Sequence, residues 1–184
     1  ATPSDFRFVI KGSRYITHLK RLASGTESIQ KFFTVAESLY RKLVCVLWQL
    51  PPMMKCDVSR LHQFVSDLKE AGPPVRHAFE FRHESWYVPE VYALLKSARA
   101  IFCIADSPNI PRREVVTSDY VYLRFHGGTK LYGSEYSEDE IEECAQKIRL
   151  WVKDKKHVLV YFNNDAHGFA VKNALQLKKM LDVP

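Results

Sequence analysis

The chain has 184 residues, 46% of them hydrophobic, and a formal net charge of +6. That length and apolar content support one substantial core, so we expect a single domain over residues 1–184. The positive charge favours anionic partners, such as a phosphorylated small molecule or nucleic acid, although an ordinary solvated surface explains a charge of this size equally well. No apolar run of about 18 residues is present, which argues against a membrane-spanning helix and a membrane partner.

Four cysteines are present without any C-x-x-C spacing. Cys45 and Cys103 lie inside apolar runs, so we interpret them as small buried side chains in a reducing compartment. No charged and then apolar leader opens the sequence. The expected location is therefore cytoplasmic.

Near-continuous apolar runs recur along the chain, and most of them are followed by a helical pattern. A polar or ionisable cluster closes each run, and the six runs with their closing residues are 6–11, 43–49, 77–83, 100–106, 120–126 and 157–165. Apolar strands that alternate with amphipathic helices are typical of a parallel sheet covered by helices. We therefore predict an α/β fold, either an open doubly wound sheet or part of a (β/α)8 barrel, since a closed barrel needs about 250 residues.

Capping residues and prolines between the strands predict where the helices begin and end. Helices are predicted over 27–41, between a capping Asp57 and Gly72, from Pro89 onward, behind a capping box at Ser137, and over 169–181. Residues 12–18 are predicted to form a polar loop. The prolines of the segment 107–119 predict a second loop in place of a helical crossover.

Five ordered motifs stand out together at 49–52 (QLPP), 79–86 (FEFRHESW), 105–107 (ADS), 124–127 (RFHG) and 161–165 (YFNND). With Lys11 and the segment 14–18, they resemble the DUF72 (YecE-like) family over essentially all 184 residues. The resemblance implies a TIM-barrel-like fold and no assigned function. Family members normally begin with two further strand units, which this sequence does not show, so the expected architecture is an incomplete barrel with about six strand units.

The carboxyl ends of parallel strands meet at one edge, where ligands bind, so the closing clusters are expected to converge there. Side chains alternate along a strand, so Glu80 and Arg82 should lie on the same side. Glu80 is then a candidate acid or base and Arg82 a candidate anion clamp. A purely structural ion pair explains the two residues equally well.

Three further strand ends carry candidate groups. Arg124 could stabilise an anion and His126 could transfer protons, while Gly127 lets the backbone approach a ligand; the alternative is a plain turn with a core histidine. The following end, 163–165, could orient a ligand or bind phosphate at a helix amino end, unless Asp165 simply caps that helix. Asp106 offers a second carboxylate or a metal ligand.

Lys11 adds a positive charge at the first strand end, or it balances a carboxylate. Exposed aromatic residues near the strand ends could stack on a ring, but they more often anchor loops. The candidate catalytic residues are Glu80, Asp106 and His126, and the candidate substrate-binding residues are Lys11, Tyr15, Gln49, Arg82, His83, Trp86, Arg124, Gly127, Asn163, Asn164 and Asp165. The residue types allow a divalent metal, but no ligand spacing indicates one, so no metal ligand or cofactor is assigned.

Two functions from different classes fit these residues. The first is an enzyme acting on a phosphorylated or anionic small substrate, such as a sugar phosphate or nucleotide, at the carboxyl ends of the strands. The alternative is a nucleic-acid binding or processing protein, whose binding would weaken steeply with salt. A non-catalytic structural or partner protein is a third interpretation.

Overall fold

The computed structural model describes residues 2–183, which form two compact units: the first ends at Ile101 and the second begins at Phe102. Each unit contains parallel strands connected through helices or loops. The six predicted strands are all present, so the predicted α/β class is confirmed. The single domain over residues 1–184 stays a prediction.

The first unit contains three parallel strands with the second strand in the middle. They are β1 (Phe8–Lys11), β2 (Leu43–Gln49) and β3 (Arg76–Glu80), with the helices α1 (Gly25–Ala36), α2 (Val58–Ala71) and α3 (Pro89–Ser97). The strand register places Lys11 beside Leu47 and Gln49 beside Glu80. Polar residues therefore close all three strands at the same carboxyl edge.

Local signals account for most of these helix ends. The Asp57 carboxylate accepts a hydrogen bond from the Arg60 amide at 2.9 Å and so caps α2, and Pro89 occupies the first turn of α3. The helix predicted to run to residue 41 instead ends at Ala36 and tightens into a 3₁₀ turn, Glu37–Lys42. The predicted polar loop after β1 contains a π-helical turn, Tyr15–Leu19.

An aromatic core lies between the sheet of the first unit and its helices. The Trp48 ring is completely buried and contacts Phe32 and Phe64, with ring centroids 5.4 and 5.1 Å apart. Phe64 contacts Phe79 in turn. Fully burying each large aromatic side chain contributes about 2–3 kcal/mol, so this cluster is a main source of stability for the first unit.

The second unit contains β4 (Ile101–Asp106), β5 (Tyr120–Phe125) and β6 (His157–Phe162), all parallel, with α4 (Glu138–Lys153) and α5 (Phe169–Met180). β4 starts one residue before the unit boundary. The segment between β4 and β5 contains no helix, as predicted. Ser137 and Glu140 form the predicted capping box at the start of α4.

All four cysteines are free thiols, and Cys45 and Cys103 are buried as predicted. No helix within residues 2–183 combines the length and apolar character needed to cross a membrane.

Candidate functional site

A hydrogen-bonded triad closes β2 and β3 in the first unit. Glu80 is completely buried, and its Oε1 accepts bonds from Gln49 Nε2 at 2.8 Å and from Arg82 Nε at 2.9 Å. Gln49 is buried as well, whereas 20% of the Arg82 side chain is exposed. The carboxylate therefore holds the guanidinium at the carboxyl edge of the sheet, with part of it open to solvent.

The chain after β1 takes an unusual path over this edge. A side chain at Gly12 would overlap the Trp48 ring, so only glycine lets the backbone pass there. The π-helical turn follows and ends at Leu19, and two residues shortly after it, Arg21 and Leu22, have positive φ angles of 48° and 70°. Non-glycine residues in this conformation cost about 1 kcal/mol each, and such strain is common at functional sites.

Four basic residues come together in this region of the first unit: Lys11, Arg14, His18 and Arg82, which we call the cation cluster. Burial lowers the pKa of His18, and the positive charges of Arg14, Lys11 and Arg82 lower it further. The charges that act on this imidazole are all positive. Anions are therefore the ligands that the cation cluster suits.

Tyr15 lies on the same π-helical turn and is 46% exposed. The ammonium group of Lys20 lies 5.6 Å from the centre of its ring. An accessible aromatic face thus adjoins the cation cluster.

His83 and Trp86 are engaged within the protein. His83 Nδ1 accepts from the Ser85 amide at 3.2 Å and lies 2.8 Å from the Ser85 hydroxyl, which itself accepts from the Cys56 amide. Trp86 is completely buried, and its indole N–H donates to the Met54 carbonyl at 2.7 Å. These contacts hold two loops together. The buried Trp86 presents no face to a ligand, whereas His83 is half-buried and is engaged here through Nδ1.

In the second unit, Asp106 lies at the centre of a network of side chains. Its Oδ1 accepts from the Tyr136 hydroxyl at 2.7 Å, and its Oδ2 pairs with Arg112 Nη1 at 3.2 Å. The Tyr136 oxygen accepts in turn from the Gly127 amide at 2.9 Å. Burial, and next the charge of Asp106, raise the pKa of Tyr136, so its hydroxyl stays protonated and donates to the carboxylate.

Gly127 has a φ of +99°, and a side chain there would overlap the Lys130 carbonyl, so the glycine is needed for the turn itself. The amides of Gly127, Thr129 and Lys130 all donate to side-chain oxygens of the same loop. An anion would therefore have to displace these bonds to bind the loop amides.

Arg124 and His126 are both buried, at 8% and 2% exposure. Arg124 Nη2 donates to Asn163 Oδ1 at 2.9 Å, which joins the ends of β5 and β6. The His126 ring packs edge-on against Tyr132 with centroids 5.6 Å apart. The His126 side chain is therefore largely closed off from solvent.

Asn164 is completely buried and braces the loop before α5. Its Nδ2 donates to the Ser134 carbonyl and to Asn173 Oδ1, both at 3.0 Å. Asp165 is exposed, and no side-chain cap bond from it begins a helix; Gly168 occupies the cap position of α5. Asn164 therefore holds the loop together from inside the protein, whereas Asp165 is a carboxylate on the surface.

Comparison with known proteins identifies the family. The family model described as "Protein of unknown function DUF72" matches residues 1–184. The chain belongs to the DUF72 family. A curated relative, UPF0759 protein YunF of Bacillus subtilis (strain 168), is 26% identical over 213 residues, which cover 99% of this chain and 75% of that protein.

Two crystal structures of DUF72 family proteins are similar to this chain. One, from Thermotoga maritima MSB8, has a TM-score of 0.89 and 32% identity, covering 98% of this chain and 75% of that chain. Another, from Enterococcus faecalis V583, has a TM-score of 0.85 and 26% identity, and the match covers 99% of this chain and 76% of that chain. The chain thus has the TIM-barrel-like fold of the DUF72 proteins, as the sequence motifs implied.

Within residues 2–183 of this DUF72 chain, no group of three or more His, Cys, Asp or Glu side chains is placed to hold a metal ion. The structure brings Lys11, Gln49, Glu80 and Arg82 together in the first unit, and Asp106 with Gly127 and Arg124 with Asn163 in the second. Convergence of the two groups, and every functional role, stay predictions.

Two members of the cation cluster, Arg14 and His18, are absent from the candidates chosen on sequence. The available signal was a segment rich in basic and aromatic residues directly after the carboxyl end of β1. Arg112 was missed as well, because it lies in a proline-containing loop without periodicity.

Proposed function

We propose that this DUF72 chain binds a phosphorylated or otherwise anionic small substrate at the carboxyl ends of β1, β2 and β3, and acts on it as an enzyme. The cation cluster is the single observation that carries this proposal. Its members come from the end of β1, from the π-helical turn and from the end of β3, so the fold, and not one flexible segment, assembles the positive charge.

Each residue of the first unit has a separate role in the proposal. Lys11 and Arg14 are exposed and supply positive charge at the surface, whereas Glu80 holds Arg82 in place with 20% of its side chain exposed. Glu80 is completely buried, so we assign it the orientation of Arg82 and Gln49 in preference to direct contact with a substrate.

The second unit offers its own candidates at the ends of β4, β5 and β6. Arg124, held by Asn163, is the group there that we propose for an anion, and Asp106 remains the candidate second carboxylate. Tyr136 engages Oδ1 and Arg112 engages Oδ2, so the Arg112 contact would have to open before Oδ2 could face a ligand.

Isothermal titration with inorganic phosphate tests the proposal. Removing one charge-assisted contact should cost about tenfold in affinity, so Arg14→Gln and Arg82→Gln should each raise the Kd by about that factor. Arg41→Gln is the matched control, because Arg41 is exposed and precedes β2 at the opposite, amino edge of the sheet. Equal Kd values for all three variants and the native chain would refute the proposed site.

Nucleic-acid binding is the second candidate, and the exposed ring of Tyr15 beside Arg14 and Lys20 is the observation that favours it. Salt separates the two functions. If the protein neutralises six or more phosphates of a single-stranded oligonucleotide, its affinity for that oligonucleotide should fall about 10³-fold between 50 and 200 mM salt. Its affinity for a small phosphate should fall far less. Tyr15→Ala should weaken oligonucleotide binding only if bases stack on this ring.

A further inference from the structure

His18 sits within the cation cluster in a fixed orientation. The imidazole is half-buried on the π-helical turn, and its Nδ1 lies 2.8 Å from the hydroxyl oxygen of Thr17. Thr17 is itself buried, and the same hydroxyl lies 3.0 Å from the Ser13 carbonyl oxygen. The ring therefore has little freedom to turn away from the other basic groups.

The two contacts of Thr17 determine where the imidazole carries its proton. A threonine hydroxyl has one proton, and the Ser13 carbonyl can only accept it. Both short contacts are hydrogen bonds when Thr17 donates to Ser13 and accepts from a proton on His18 Nδ1. This assignment leaves a lone pair on Nε2, and no described residue within 2–183 hydrogen-bonds to that atom.

Burial keeps the ring neutral, and the charged groups that act on it do so as well. They are Arg14 from the segment before the turn, Lys11 from the end of β1 and Arg82 from the end of β3. Burial comes first, and these three charges follow, in holding the pKa of His18 below 6.5. At neutral pH the imidazole is therefore a hydrogen-bond acceptor placed among three cations.

A hydrogen-bond acceptor among cations affects which anions can bind. This inference rests on the proposed function. A lone pair that meets an oxyanion oxygen repels it unless a proton lies between the two atoms. We propose that His18 is the specificity residue of the cation cluster, and that it selects anions that also carry a hydroxyl donor. A sugar phosphate, or a phosphate group that keeps one P–OH, has both features: the oxygens pair with Lys11, Arg14 and Arg82, and the O–H donates to Nε2.

Phosphate and sulfate provide matched probes for this selection. At about pH 8 both are tetrahedral dianions of similar size, but inorganic phosphate keeps one O–H and sulfate has none. Native protein should bind phosphate at least about fivefold more tightly than sulfate in isothermal titration, the worth of one hydrogen bond. His18→Asn should bind the two alike, since its amide both donates and accepts.

Acidification should turn His18 from a hydrogen-bond acceptor into a donor to sulfate. As the pH falls from about 8 toward 6, His18 can take a proton from solution, so sulfate should bind up to tenfold more tightly per pH unit. His18→Asn should remove this gain. The control is His62→Asn, because His62 is exposed on α2 and should leave both probes unaffected.

Nitrogen NMR of the imidazole gives a readout that does not depend on binding. Native His18 should show the Nδ1–H tautomer, and Thr17→Val, which keeps the shape but removes the acceptor, should lose it. Equal affinity for phosphate and sulfate with no pH dependence would overturn the selection while leaving the anion site intact. Binding of neither probe would overturn the anion site itself, together with this inference.

Discussion

Arg82 Nε lies 2.9 Å from Glu80 Oε1, and the two partners differ in exposure, because the carboxylate is completely buried while 20% of the arginine side chain is exposed. Truncation of either residue should therefore have unequal effects. Arg82→Leu removes a cation from a completely buried carboxylate and should lower the free energy of unfolding by about 3 kcal/mol. Glu80→Gln leaves a guanidinium that can turn toward water, so this variant should lose less of its free energy of unfolding.

Urea denaturation of the two single variants and the double variant measures this difference. The double variant should be more stable than Arg82→Leu alone, because no uncompensated buried charge remains. Equal losses of stability in the two single variants would show that exposure to solvent does not stabilise the charge of Arg82 when Glu80 is replaced by glutamine.

The sequence predicted this pair because strand alternation is a local rule, and the same holds for the capping residues Asp57 and Ser137. The π-helical turn was predicted as a loop, since five residues with i→i+5 hydrogen bonds show no usable periodicity. Long-range contacts were also beyond sequence reasoning. The hydroxyl of Tyr136 reaches Asp106 across 30 residues of chain, and no pattern in the sequence indicates that contact.

The half-buried imidazole of His77 should make the stability of the chain depend on pH. Trp48 Nε1 donates to His77 Nδ1 at 3.2 Å, and burial lowers the pKa of His77 to about 4. In the unfolded chain this pKa returns to about 6.5, so the unfolded state binds more protons between these values. Stability is therefore complete above about pH 6.5 and should fall by up to about 3 kcal/mol as the pH drops toward 4.

Urea denaturation at several pH values between 4 and 7 measures this loss. His77→Gln, which has no titrating group but can still accept from Trp48, should flatten the pH dependence in that range. His62→Gln changes an exposed histidine on α2 and should leave it as in the native chain. An unchanged slope in His77→Gln would assign the acid sensitivity to other groups.

Gly12→Ala should disturb both the core and the cation cluster. Its new methyl group would overlap the Trp48 ring, so either the ring or the backbone after Lys11 must move. Overpacking of this kind typically costs about 1–3 kcal/mol, and we also expect weaker phosphate binding because Lys11 and Arg14 flank the change. Thermal unfolding and phosphate titration provide the two readouts.

The matched control for that change is Gly133→Ala, whose new methyl group would meet only the flexible end of Lys130. It should change stability by less than about 0.5 kcal/mol. A Gly12→Ala protein as stable as this control would mean that the Trp48 ring can shift freely.

Tyr136→Phe should test whether the hydroxyl bridge in the second unit is structural. The change removes the donor to Asp106 and the acceptor for the Gly127 amide, which leaves two polar groups without this partner. We expect a loss of about 1–3 kcal/mol in urea denaturation. Tyr15→Phe, at an exposed ring, is the control and should be nearly neutral. A neutral Tyr136→Phe would show that water replaces the bridge.

Alanine substitutions at Asn163 and Asn164 should show which of the two side chains supports the structure and which is the better candidate for contact with a ligand. Asn164 is completely buried and donates to the Ser134 carbonyl and to Asn173, so Asn164→Ala should cost about 2 kcal/mol of stability through the two hydrogen bonds it removes. Asn163 is only half-buried and holds Arg124, so Asn163→Ala should cost less stability. Urea denaturation ranks the two, and a reversed order would place the structural support at Asn163 and leave Asn164 as the better candidate for contact with a ligand.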